Sequence, residues 1–93
     1  MFLIHGTARA LSARKSDLAR AAHEMAEATR GDDGCLFYEF SASLTDDTII
    51  GTEIWRDQAA LDAHMAHGHT AEFFAALEGV LDGEPVMQKI PLI

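Results

Sequence analysis

The first ten residues alternate. Phe2, Ile4, Gly6 and Ala8 fall on one side of an extended chain and Leu3, His5, Thr7 and Arg9 on the other, so Met1–Ala10 is predicted to be a strand. From Arg14 to Arg30 the period lengthens. Leu18, Ala22, Met25 and Thr29 recur at helical spacing, while Lys15, Asp17, Arg20, Glu24 and Glu27 lie largely off that stripe. Ser12 or Ser16 is the expected cap of this helix, and Gly31-Asp32-Asp33-Gly34 is turn chemistry that ends it. Cys35 to Ser43 and Thr48 to Arg56 read as two strands joined through Thr45-Asp46-Asp47. With Ser43 opposite Thr48, Tyr38 faces Glu53, Phe40 faces Gly51 and Leu36 faces Trp55. That register puts Tyr38, Glu53 and Trp55 on one sheet face.

Asp57 is a good N-cap for a short helix from Gln58 to about Met65, which Gly68 interrupts. Thr70 is placed to cap a second piece carrying Phe73, Phe74, Leu77 and Val80 or Leu81. Glu84 to Leu92 is the expected last strand, with Val86, Gln88, Ile90 and Leu92 on one face; Pro85 and Pro91 lack the donors a central strand needs and point to an edge. The order β-α-β-β-α-β is the ferredoxin-like split βαβ arrangement, an α+β sandwich with an antiparallel sheet and helices on one face. Phe37, Ile50 and Ile54, with Val86 and Ile90, fall on the uncovered face. So small a domain with an apolar open face calls for a second subunit, and a dimer through that face is expected.

The chain of 93 residues makes a single domain, 1–93. Its 48% apolar and 24% charged residues exclude disorder, and no apolar run approaches the ~20 residues of a membrane span. Asp and Glu number 15 against 7 Lys and Arg, a formal charge of −8, and no basic stripe offsets it. Such a surface repels phosphate backbones, so neither nucleic acid nor an anionic membrane is an expected partner. Cys35 stands alone, so no internal disulfide forms. The N-terminus has no basic flank followed by an apolar stretch and cleavage site, and the cytoplasm is the expected location.

The densest constellation runs from Glu53 to Phe74: Glu53-Ile54-Trp55-Arg56-Asp57, then Leu61, His64, His67, His69 and Phe73-Phe74. With Gly34-Cys35-Leu36 and Tyr38-Glu39-Phe40 upstream, Glu53-x-Trp55, Leu61-x-x-His64 and His69-x-x-x-Phe73 resemble the antibiotic biosynthesis monooxygenase family over nearly the whole chain. That resemblance implies a small dimeric ferredoxin-like protein. The family holds quinol-type monooxygenases, aromatic polyketide oxidases, haem degraders and isomerases. The polyketide oxidases use an Asn, a Trp and a Tyr; Trp55 matches the Trp, but Gly51 and Leu61 stand at the other two positions. The haem degraders use an Asn, a Trp and a haem-ligating His; this chain has no Asn, and His64 and Phe74 occupy the matching Trp and His positions. The nearer resemblance is to the short quinol-monooxygenase-like members.

Cofactor-free oxygenation fits these residue types. Triplet oxygen reacts slowly with closed-shell molecules, and deprotonating an electron-rich phenol or quinol gives an anion able to pass it an electron. That step needs a base in a dry aromatic pocket, and His is the natural choice. The resulting expectation is a monooxygenase of a small hydroxylated aromatic or quinol, with no cofactor. His64 serves as base oriented by Glu53, Trp55 and Tyr38 hold the ring, and Phe73, Phe74 and His69 complete the substrate pocket. Each assignment has a structural alternative: Trp55 as core, Glu53 as a hydrogen-bond acceptor, His64 as a satisfied buried histidine, His69 as the residue ordering the helix break. His64-x-x-His67-x-His69 is not a zinc spacing and no Cys lies near, so no metal is expected. No phosphate loop, Rossmann fingerprint or nucleophile elbow is present. A same-fold isomerase and a non-catalytic small-molecule-binding dimer are the alternatives.

Overall fold

Strands β1 (Phe2–Arg9), β2 (Cys35–Ala42), β3 (Thr48–Trp55) and β4 (Val86–Pro91) pair antiparallel in the order β2-β3-β1-β4. This is a computed structural model and it describes residues 1–93. Helices α1 (Lys15–Thr29), α2 (Gln58–Met65) and α3 (Gly68–Ala76) complete the ferredoxin-like α+β arrangement. No helix is long and apolar enough to cross a membrane.

Alternation fixes which residues share a face. Phe2 lies opposite Trp55, Ile4 opposite Glu53, and Tyr38 opposite Glu53 from the other side. The helix-facing side therefore gathers Phe2, Ile4, Tyr38 and Trp55 against Met25 and Ala26 of α1 and Ala60 of α2, one contiguous buried core. A smaller cluster of Ala10, Leu18 and Val80 closes the far end. The other side carries Leu3, Phe37, Ile50, Ile54, Val86 and Ile90 by the same registers. Phe37, Val86 and Ile90 are exposed there. All of β4 is exposed, as expected of an edge strand flanked by prolines.

Four local expectations are corrected. Tyr38–Glu53 and Phe40–Gly51 pair as the alternation requires, but Leu36 does not face Trp55. A bulge at Leu36 brings Cys35 opposite Trp55, and the extra residue turns Leu36 outward, where it is exposed. Neither Ser12 nor Ser16 caps α1; Ser12–Arg14 forms a short 3-10 turn instead, and no side chain caps the helix. Thr70 lies inside α3 rather than at its start, because its hydroxyl donates to the His64 carbonyl at 2.7 Å. β4 begins at Val86, two residues later than Glu84. Asp57 does cap α2, accepting from the Ala60 amide at 2.9 Å.

Gly34 sets the entry to β2. Its φ of +80° is left-handed, and a Cβ there would lie 2.4 Å from Ala60 Cβ. The Arg56 amide donates to its carbonyl at 2.9 Å, tying the turn to the end of β3. Gly34→Ala is expected to cost on the order of 2–3 kcal/mol, from the backbone strain and the clash together. Urea unfolding at neutral pH measures it, and a loss below about 0.5 kcal/mol would mean the turn relaxes freely.

Candidate functional site

The site grows out of the turn after α1. The amide of Asp32 donates to the Thr29 carbonyl at 2.9 Å and that of Cys35 to the Asp32 carbonyl at 3.1 Å. The two acidic side chains then diverge. Asp33 reaches solvent and pairs with Arg56 at 3.3 Å, while Asp32 turns inward with a side chain only 9% exposed. Its Oδ2 lies 2.9 Å from His64 Nδ1 and 3.0 Å from His69 Nε2. His64 comes from the last turn of α2 and His69 from the first turn of α3, so one carboxylate receives both helices where the chain breaks at Ala66–His67. His67 stacks on His69 with ring centroids 4.0 Å apart. The His64 carbonyl, near the end of α2, accepts from both the Thr70 hydroxyl at 2.7 Å and the His67 amide at 3.1 Å.

A cavity of about 320 Å³ opens between sheet and helices. Tyr38, Phe40, Leu61, Phe73 and Phe74 are among the residues that line it, with His64 and Glu53 as polar groups. Phe40 and Tyr38 meet edge to face, and Phe40 and Phe73 lie 5.8 Å apart. Gly51 makes room for this floor, since a Cβ there would come within 3.0 Å of the Phe40 ring. Size and lining suit a single flat ring with few polar contacts.

Glu53 accepts a hydrogen bond from the Trp55 indole N–H at 2.8 Å. Burial raises its carboxyl above the usual range, and the indole bond and the nearby His64 partly offset that rise. Burial first, then the charge of Glu53, pushes the Tyr38 phenol far up, so Tyr38 stays protonated and can act only as a neutral donor or acceptor. The Cys35 thiol is raised by burial and by Asp32 and Glu53, which makes a reactive thiolate unfavourable.

The structure brings most of the expected site residues together and rearranges their partners. Tyr38, Glu53, His64, Phe73 and Phe74 all meet at the cavity. His64 and Glu53 share no hydrogen bond; Asp32 holds His64, and Trp55 holds Glu53. Trp55 is fully buried and lies behind the cavity wall, its ring 4.7 Å from that of His64. His69 also sits behind the wall, on Asp32. Asp32 is the residue that sequence reasoning missed. Its one signal was two adjacent acids in a turn with three histidines downstream, and charge complementarity over that separation has no periodicity to reveal it.

With Nδ1 held by a carboxylate, the imidazole carries its proton on that nitrogen and leaves Nε2 as an acceptor. Nε2 makes no hydrogen bond within the chain, and the ring lines the cavity. An imidazole so held can take up a proton at Nε2. Asp32, His64 and His69 are also the one group of side chains placed to hold a metal ion.

The fold is a ferredoxin-like sandwich, and its candidate site is a carboxylate-held histidine beside an aromatic cavity. The chain belongs to the antibiotic biosynthesis monooxygenase family, whose model matches residues 1–76. Among solved structures it is similar to a Deinococcus radiodurans protein named as a candidate antibiotic biosynthesis monooxygenase. The two are 28% identical with a TM-score of 0.89, over 98% of this chain and 91% of that one. A Mycobacterium tuberculosis protein shares the fold at a TM-score of 0.94 and 21% identity, over 99% of this chain and 94% of that one. An uncharacterized Synechocystis protein is 28% identical over 72 residues, covering 76% of this chain and 49% of its own. The match thus spans about half the length of that curated relative.

Glu53 gives a pH-dependent prediction. Its folded-state carboxyl titrates above its ordinary value of 4.5, so the folded state holds the proton more tightly than the unfolded one. Stability is therefore fully present below that value and falls as pH rises through the folded-state pKa. Glu53→Gln keeps an acceptor for Trp55 and removes the buried charge. The variant is expected to be more stable than the parent at pH 7 and to lose that advantage near pH 4, as urea denaturation at the two pH values measures. An advantage that is the same at both would contradict the burial argument.

Proposed function

We propose that the protein is a homodimeric, cofactor-independent monooxygenase that acts in the cytoplasm on a small hydroxylated aromatic or quinol. The observation that carries this reading is the His64 imidazole, fixed at Nδ1 by Asp32, with its ring lining an aromatic cavity and its Nε2 unpartnered. Family membership supports monooxygenase-like chemistry.

In this mechanism Tyr38, Phe40, Phe73 and Phe74 hold the ring, and His64 Nε2 takes the proton of a ring hydroxyl. Asp32 stabilises the imidazolium that forms. The lining is mostly apolar, so the electron-rich anion meets dioxygen in a largely apolar space. The substrate is its own reductant. A quinol reacting with one dioxygen yields a hydroxyquinone and water: one oxygen atom joins a ring carbon, the other leaves as water, and the ring gives up the electrons. Glu53 also lines the cavity and is placed to accept from a second substrate hydroxyl. Trp55 acts through Glu53 by fixing its orientation.

The reading is tested by aerobic incubation with a panel of quinols and anthrone-like phenols, following oxygen uptake and product mass. Uptake with a product that has gained one oxygen is expected. His64→Gln should lower the rate by about 10²–10⁴-fold, the usual worth of a positioned base, with ring binding retained. Binding of the ring without oxygen uptake would favour the isomerase or binding-protein reading instead.

The dimer is supported by the exposed apolar residues of the open sheet face, Phe37, Val86 and Ile90. Light scattering at micromolar concentration should give twice the chain mass of 10.1 kDa. Phe37→Asp should shift that mass towards the monomer, and a wild-type monomer would overturn the assembly.

A further inference from the structure

Behind the cavity, side chains from two distant parts of the chain converge on one point. Asp32 comes from the turn after α1, and His64 and His69 come from either side of the break between α2 and α3. One ligand atom from each lies within 4.8 Å of the others. The other Asp32 oxygen, Oδ1, is 3.9 Å from His67 Nε2. The cluster is shielded, with side-chain exposures of 9% for Asp32, 2% for His64 and 17% for His69.

We propose that this cluster binds a divalent transition-metal ion of the zinc type, through Asp32 Oδ2, His64 Nδ1 and His69 Nε2, with the fourth position open to water. Ligand atoms about 2.0–2.2 Å from a tetrahedral zinc stand about 3.3 Å from one another. The two contacts of 2.9 and 3.0 Å need to open by a few tenths of an ångström, and the two histidine nitrogens, within 4.8 Å of one another, draw together onto the ion. Without an ion the same atoms are joined by N–H donors to the carboxylate. Binding moves each ring proton to the other nitrogen, so neutral imidazoles become ligands with no net loss of a proton. Two imidazole nitrogens and one carboxylate oxygen suit zinc and its neighbours, whereas calcium and magnesium prefer all-oxygen sets. Entry is from the His67 side: its side chain is 56% exposed and its ring covers His69. The histidine spacing lacked a metal signal because the carboxylate arrives from 32 residues before His64.

An ion on His64 Nδ1 leaves the ring proton on Nε2, the nitrogen of the proposed base. The proposed base becomes a donor, so metal binding and turnover exclude each other. Only this consequence rests on the proposed function; binding itself does not.

The test is titration of chelator-treated protein with Zn²⁺ by calorimetry and with Co²⁺ by visible absorption. One ion per chain is expected, with an intense tetrahedral Co²⁺ spectrum that Zn²⁺ abolishes, and a higher melting temperature with Zn²⁺ present. Asp32→Asn and His69→Gln should each weaken binding by about tenfold or more. His23→Gln, on the exposed side of α1, should leave it unchanged. Long-range ¹⁵N spectra should show the His64 Nδ1 and His69 Nε2 signals shifting on Zn²⁺ addition. If Asp32→Asn does not fold, His69→Gln and the spectra carry the comparison. Absence of saturable binding at one ion per chain, or equal affinity in wild type and His69→Gln, would overturn the site. These readouts involve no turnover, so failure of the oxygenation assay leaves them intact.

Discussion

One buried carboxylate ties the molecule together. A charge as shielded as that of Asp32 costs several kcal/mol unless donors surround it. Here His64 and His69 both point at Oδ2, and His67 lies just beyond Oδ1. Through this group the turn leaving α1 is fastened to the end of α2 and the start of α3. The break at Ala66–His67 lets both rings meet one oxygen, and the Thr70 hydroxyl joins the His67 amide on the His64 carbonyl. Orientation of His64 is thus a by-product of satisfying Asp32.

A second polar pair does the same work beneath the sheet. Glu53 is half-buried on a central strand, and the Trp55 indole N–H two residues on gives it a donor. Trp55 spends its ring on the core against Phe2 and Met25 and its nitrogen on Glu53. Asp32–His64 and Trp55–Glu53 each complete one cavity residue from behind, so the groups facing a ligand are held by groups that never touch it. Both arrangements place polar atoms at one end of an otherwise apolar space.

The rest of the cavity exists because the helices do not fill the space over β1, β3 and β4. Gly51 and Gly6 leave the sheet surface low in the middle, and Phe40 and Phe73 wall one side. At the edge strand the wall is thin, with Pro85, Val86 and Met87 bordering both the opening and solvent. A core this small divides into a packed end around Trp55 and an open end around Phe74.

Periodicity determined a good deal on its own. Two-residue alternation in Phe2–Arg9 and through the β2–β3 hairpin specified which side chains share a face, because a slip of one residue would expose the whole apolar set. Glu53-x-Trp55, Leu61-x-x-His64 and the aromatic pair at 73–74 were enough to carry the family resemblance and most of the cavity lining. The bulge at Leu36, the uncapped start of α1 and the inward position of Thr70 were not legible. Each depends on which partner a residue meets across the fold rather than on its neighbours in sequence. The same holds for the site. The sequence pointed to Glu53 as the partner of His64, since strand and helix parity bring both to one face. Only the tertiary structure decided that the carboxylate of a turn, with no periodic pattern of its own, reaches His64 first and leaves Glu53 to the indole.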